Sequence, residues 1–164
     1  MASRAHSKRR LDLRAFRRVL LPEFFQYGGC TFVRYVASGL LFRAFRAKQA
    51  HSGRWSPDRT GAEALENHVH PLDLVAPAFH VRMSDPLFRE AEEIGKAIAH
   101  VWCSKLMSDF PGQQFRVYYA RSNNPSVRFH RSYRGESPWL EEASVPEELA
   151  RGHVLILQTP GAAV

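Results

Sequence analysis

The sequence predicts an α+β fold: one long helix packed on a small, mainly antiparallel sheet. The expected order is strand–helix–strand–strand with a further C-terminal strand, preceded by a basic, helical N-terminal extension. Three observations carry this reading. From Leu87 to Leu106 apolar residues recur at steps of three and four, the period of one helix side. Residues 114–120 and 126–131 alternate apolar and polar on either side of a run of turn formers, Arg121-Ser122-Asn123-Asn124-Pro125. Charge is split along the chain: residues 1–50 hold eleven Lys/Arg against Asp12 and Glu23, a net of +9, while 51–164 net −2 within the overall +7. The split and the local composition divide the chain into a basic extension (1–50), a linker (51–66), an α+β domain (67–159) and a tail (160–164).

The first ten residues are polar and basic, a composition that favours disorder. Residues 11–21 form an amphipathic helix stopped by Pro22, with Leu13, Phe16 and Leu20 on one side and Arg10, Arg14 and Arg17 on the other, Arg18 beside them. Either its apolar side docks on the domain, or it lies on an anionic surface. An Arg-rich, acid-poor start of this kind also fits an organelle transit peptide. Residues 24–42 are apolar but broken by Gly28-Gly29 and by Arg34. A membrane span needs about 20 predominantly apolar residues with few charges, so a surface or core-packed helix is expected instead. The spacing of Phe32, Val33, Val36, Leu40, Leu41 and Phe45 places that helix after the glycines and ends it near Lys48. The linker allows one helical turn at 61–66.

Within the domain, 68–77 is irregular, punctuated by Pro71 and Pro77, and 78–83 alternates as a short strand. The long helix then starts at Asp85, which can cap free N–H groups, and Pro86, which suits a first position needing no donor. Gly95 interrupts the apolar stripe and points to close approach of a neighbouring backbone. Pro111-Gly112 ends the helix. If Ala120 faces Ser126, Tyr119 pairs with Val127 and Val117 with Phe129 on one face, and Tyr118 pairs with Arg128 and Arg116 with His130 on the other. A helix of about 25 residues is about 37 Å long against about 20 Å for six-residue strands, so part of the stripe must find another cover. Residues 133–138 read as a loop, 146–150 as one helical turn, and 154–157 as a buried or edge strand.

For function, Cys30 and Cys103 are the only cysteines, which is no disulfide scaffold and fits reduced thiols in a cytoplasm. There is no Gly-x-Ser-x-Gly elbow, phosphate-binding glycine loop or zinc-type cysteine pair. Two constellations remain. Arg10, Arg14, Arg17 and Arg18 on the first helix, with Arg116, Tyr118, Arg128 and His130 on the polar hairpin face, match a polyanion: guanidinium groups meet phosphates and aromatic rings stack on bases. The leading expectation is therefore a non-enzymatic binding module for nucleic acid, and the alternative is attachment to an anionic membrane surface through the basic helices. The second constellation is His68 and His70, two apart in an extended segment, with Asp73 or His80 as a third ligand to a divalent metal. Over three residues it resembles the opening metal motif of amidohydrolase-type hydrolases, which implies a metal-dependent hydrolase. Those enzymes carry the motif at the end of the first strand of a large barrel, and this chain has neither that strand nor the length. No cofactor is expected otherwise.

Overall fold

A computed structural model of the protein describes residues 13–34, 58–75 and 81–161. In chain order these form α1 (Leu13–Leu20), β1 (Phe24–Tyr27), β2 (Cys30–Val33), α2 (Arg59–Glu66), β3 (His68–Val69) and α3 (Leu72–Val75). Then come α4 (Pro86–Asp109), β4 (Phe115–Ala120), β5 (Ser126–Arg131), a 3-10 turn at Glu142–Ser144, α5 (Pro146–Ala150) and β6 (Val154–Gln158). The fold is α+β, with α4 lying on an antiparallel sheet of order β3-β5-β4-β6 and a separate hairpin, β1-β2, beside it.

Local chemistry accounts for α4. The Asp85 carboxylate accepts from Leu87 N–H at 2.8 Å, Pro86 fills the first turn, and Phe110 N–H closes the last turn on Leu106 O at 3.0 Å. Gly112, at φ 78°, then turns the chain into β4. The hairpin has the expected register, Val117 opposite Phe129 and Tyr119 opposite Val127, with Tyr118 opposite Arg128 and Arg116 opposite His130. Ile98, Trp102 and Leu106 are buried with Phe115, Val117, Tyr119, Val127 and Phe129 in one core. β6 is an edge strand on β4, and its Leu155 and Leu157 pack on the same core.

The uncovered part of α4 is closed from two sides. Val19 of α1, Phe24 of β1 and Val33 of β2 join the core around Trp102. Leu72 of α3 packs on Phe88 and Ala91 near the start of α4. Segments assigned by composition to the extension thus contribute core side chains.

Three local expectations differ from the structure. Among the described residues the strand ahead of α4 is His68–Val69, paired with Arg128 and Val127 of β5. Residues 81–83 are loop and turn, and 78–80 lie outside the described residues. Phe32 and Val33 belong to a strand, because Gly28 and Gly29, at φ 59° and 79°, form a two-residue hairpin turn where a break between helices was expected. The rest of that expected helix, to Lys48, lies outside the described residues. Finally, 59–66 is a full helix rather than one turn. Asp58 caps Gly61 N–H at 2.7 Å, and Glu63, Ala64 and Glu66 are buried.

Gly95 does mark a close approach, but to rings rather than backbone. A Cβ there would sit 2.8 Å from the Tyr119 ring and 3.0 Å from the Pro71 ring. Gly95→Ala should therefore cost about 1–3 kcal/mol despite its better helix propensity, because both rings are held in a packed layer. Ile98→Asp should abolish the cooperative transition altogether, since an unpaired charge in this core costs several kcal/mol. Urea titrations followed by circular dichroism check both. A Gly95→Ala variant as stable as the parent would show that the layer yields.

Candidate functional site

The polar hairpin face is not an open basic surface. Tyr118 and His130 are each 1% exposed. Their rings stack with centroids 5.5 Å apart, and Tyr118 O–H donates to His130 Nε2 at 2.8 Å. Trp139 N–H also points to Nε2, at 3.2 Å, while Nδ1 faces Arg131 O at 2.8 Å. That set of partners requires a neutral ring with its hydrogen on Nδ1. Burial pushes the imidazole pKa below its ordinary value in the same sense. The residues after β5 form a roof over this face: Arg128 lies 5.1 Å from the Trp139 ring and Arg116 reaches Glu142 at 3.7 Å. Alternation along two strands cannot register a roof supplied by a later loop. Tyr118 and His130, expected to meet a ligand, are thus covered by the protein's own chain, while Arg116 and Arg128 remain half-buried at the roof's margin.

The arginines of α1 are placed differently. Arg14, Arg17 and Arg18 are exposed, whereas Val19 is buried and Phe16 and Leu20 are half-buried. Trp102 of α4 donates its indole N–H to Val19 O at 2.7 Å. The helix is therefore anchored by its apolar side, and its exposed arginines stand at positions i, i+3 and i+4, which share a side. Arg10 lies outside the described residues.

Among the described residues the histidine pair has no third metal ligand beside it. His68 and His70 do come together, with ring centroids 5.2 Å apart, but in a T-shaped contact. His68 Nδ1 bonds Leu65 O, and His70 Nδ1 lies 3.1 Å from Pro125 O. Asp73 is exposed on α3, and His80 lies outside the described residues. Among the described residues no group of three or more His, Cys, Asp or Glu side chains is placed to hold a metal ion. Each Nδ1 faces a backbone carbonyl, which fixes the tautomer with the lone pair on Nε2.

A different cluster emerges on α2. Glu63, fully buried, accepts from Thr31 N–H of β2, Arg131 N–H of β5 and, at 2.6 Å, Tyr133 O–H. Burial pushes this carboxyl up to about 7, against the pull of those three donors. Cys30 is buried beside it, its thiol pushed up to about 12 by burial and by Glu63. Alongside runs a cleft of about 360 Å³ lined by Asp58, Thr60, Glu136 and Trp139 among others. Its one carboxylate–cation contact is internal: Arg59 meets Glu136 at 2.8 Å and lies 4.0 Å over the Tyr133 ring. Nothing in the sequence flags Glu63, because its donors lie about 30 and 70 residues away in the chain and no periodicity links them.

No family model, curated protein or solved structure matches this chain. The reading of the site rests on its geometry.

His130→Phe keeps ring volume but leaves Tyr118 O–H and Trp139 N–H without their acceptor. It should destabilise the protein by about 1–3 kcal/mol. In the parent, the folded imidazole titrates below its ordinary 6.5, so its contribution is complete above that value and is lost as pH falls through the lower folded pKa. Urea titrations of both proteins across the acid range should show this acid loss in the parent alone. An equal acid loss in the variant would mean that His130 does not carry it.

Proposed function

We propose that this chain is a non-enzymatic binding module for a polyanion, nucleic acid foremost, with its contact surface on the arginine side of α1. The observation that carries the reading is the exposure of Arg14, Arg17 and Arg18 on a helix anchored through Val19. A row of arginines on an anchored helix attracts phosphates without first ordering a loose backbone segment. The net +9 of residues 1–50 strengthens the local field. Docking of the apolar side sets this above a membrane-surface reading, which needs that side free to insert. Among the described residues no helix is long and apolar enough to cross a membrane. Free Cys30 and Cys103 fit a reducing cytoplasm as the compartment. Arg116 and Arg128, at the margin of the roofed sheet face, are secondary contacts in this reading.

The test is fluorescence anisotropy with single- and double-stranded oligonucleotides over a salt series. The full chain is compared with a variant carrying Arg14→Ala, Arg17→Ala and Arg18→Ala. Each phosphate contact on duplex DNA contributes about 0.9 to the slope of log affinity against log salt, so the triple variant should lose about 2–3 in slope and bind more weakly at low salt. An unchanged slope, or no binding by the parent at low salt, would overturn the proposal.

A further inference from the structure

We propose that Glu63 is a proton-holding clamp on the β1-β2 hairpin: its carboxyl carries a proton while the hairpin is seated on the central sheet, and losing that proton frees the hairpin's turn. The inference begins with a count of hydrogens. The Tyr133 hydroxyl oxygen lies 3.0 Å from Gly29 O and 2.6 Å from Glu63 Oε1. A phenol has one hydrogen. With Glu63 ionised, both neighbours are pure acceptors, and one close O···O contact has no hydrogen between its atoms. With a proton on Glu63 the set closes: Glu63 O–H donates to the Tyr133 oxygen, and Tyr133 O–H donates to Gly29 O. Oε1 keeps a lone pair for Thr31 N–H, and Oε2 serves Arg131 N–H.

The location gives the proton a mechanical consequence. Gly29 is the second residue of the tight turn between β1 and β2, and Thr31 is in β2. Glu63 is on α2, Arg131 ends β5 and Tyr133 follows it. One carboxyl thus joins the hairpin, α2 and the central sheet. When the proton leaves to solvent water, the phenol hydrogen turns to the carboxylate. Gly29 O then loses its donor, and a charge is left where no water reaches it.

The groups around Glu63 do not compensate that charge fully. From β2 it faces Cys30, whose thiol is pushed up to about 12 and stays neutral. From the loop it faces Tyr133, pushed up by burial and by Glu63. Arg131 of β5 is the cation that favours the carboxylate, yet burial outweighs it and the carboxyl is pushed up to about 7. Arg59 and Glu136, which act on neighbouring Cys30, neutralise each other at 2.8 Å. The sign follows from linkage. The seated carboxyl binds its proton more tightly than a solvent-exposed one at 4.5, so seating is fully favoured below 4.5 and weakens as pH rises through about 7. His130, on β5, titrates below 6.5 and acts in the opposite direction.

The test uses the full chain. The carboxyl 13C shift of Glu63 should titrate near 7 rather than near 4.5. Protection of the β1-β2 amides against hydrogen exchange, corrected for the intrinsic pH dependence of exchange, should fall about tenfold between about pH 6 and about pH 8. Glu63→Gln, isosteric and uncharged, should remove that pH dependence, and Tyr133→Phe should weaken protection at both pH values. A carboxyl titrating near 4.5, or the same pH dependence in Glu63→Gln, would overturn the proposal. If Glu63→Gln does not fold, the carboxyl titration of the parent decides alone.

Discussion

Trp102 occupies the point where the long helix, the central sheet and the N-terminal elements meet. Its ring is wholly buried and meets Phe24 and Phe129 edge-on, at 6.2 and 5.8 Å between centroids. Its one polar group donates to Val19 O. A tryptophan buried without a partner for its N–H would cost the desolvation of that group, so this bond and the surrounding aromatic packing depend on each other. Through it, α4, the central sheet, α1 and the β1-β2 hairpin share one core, and the orientation of the α1 arginines follows from where Val19 must sit.

Charge is organised around that core in two ways. Three arginines close to the sheet are matched by carboxylates: Arg121 meets Glu92 at 2.9 Å, Arg59 meets Glu136, and Arg116 meets Glu142. Arg17 and Arg18 instead face water on the helix farthest from the acidic stretch at 141–148 in sequence. The anchored basic helix is the surface on which the proposed polyanion contact rests.

The central unit was legible because two independent periods agreed. The 3.6-residue stripe of α4 and the two-residue alternation of β4 and β5 both demand burial of the same face, and a slip of one residue would have buried Arg116 and Arg128 together. The N-terminal hairpin was not legible. Its strands are four residues each, too short for alternation to stand out, and β2 is buried on both faces, so its apolar run reads equally as helix. The roof over Tyr118 and His130 was also hidden, since strand alternation reports which residues share a face and not what later covers that face. Arg10 and His80 stay outside the described residues. Glu63 illustrates a further limit: a buried carboxylate gains its meaning from donors that the fold delivers, and a Glu between two alanines carries no sign of them.

The two buried polar layers lie on opposite sides of one question about protons. The Tyr118–His130 layer needs a neutral imidazole, because Nε2 must accept from two donors, so acid works against it. The Glu63–Tyr133 layer is best satisfied with a neutral carboxyl, because one phenol hydrogen cannot serve two acceptors, so base works against it. Each layer alone would tilt stability one way with pH. Together they bracket an interval in which both groups are neutral and the hydrogen bonds of Tyr118, Trp139 N–H and Tyr133 are all made. The interval lies between a histidine titrating below 6.5 and a carboxyl titrating at about 7. Outside it a different contact fails at each end: in acid the roof over the sheet loses its acceptor, and in base the hairpin turn loses its donor. The ionisable groups of the core around Trp102, Tyr119 and Cys103, are both pushed up by burial and stay neutral across this interval, so the core holds the elements together while either contact gives way.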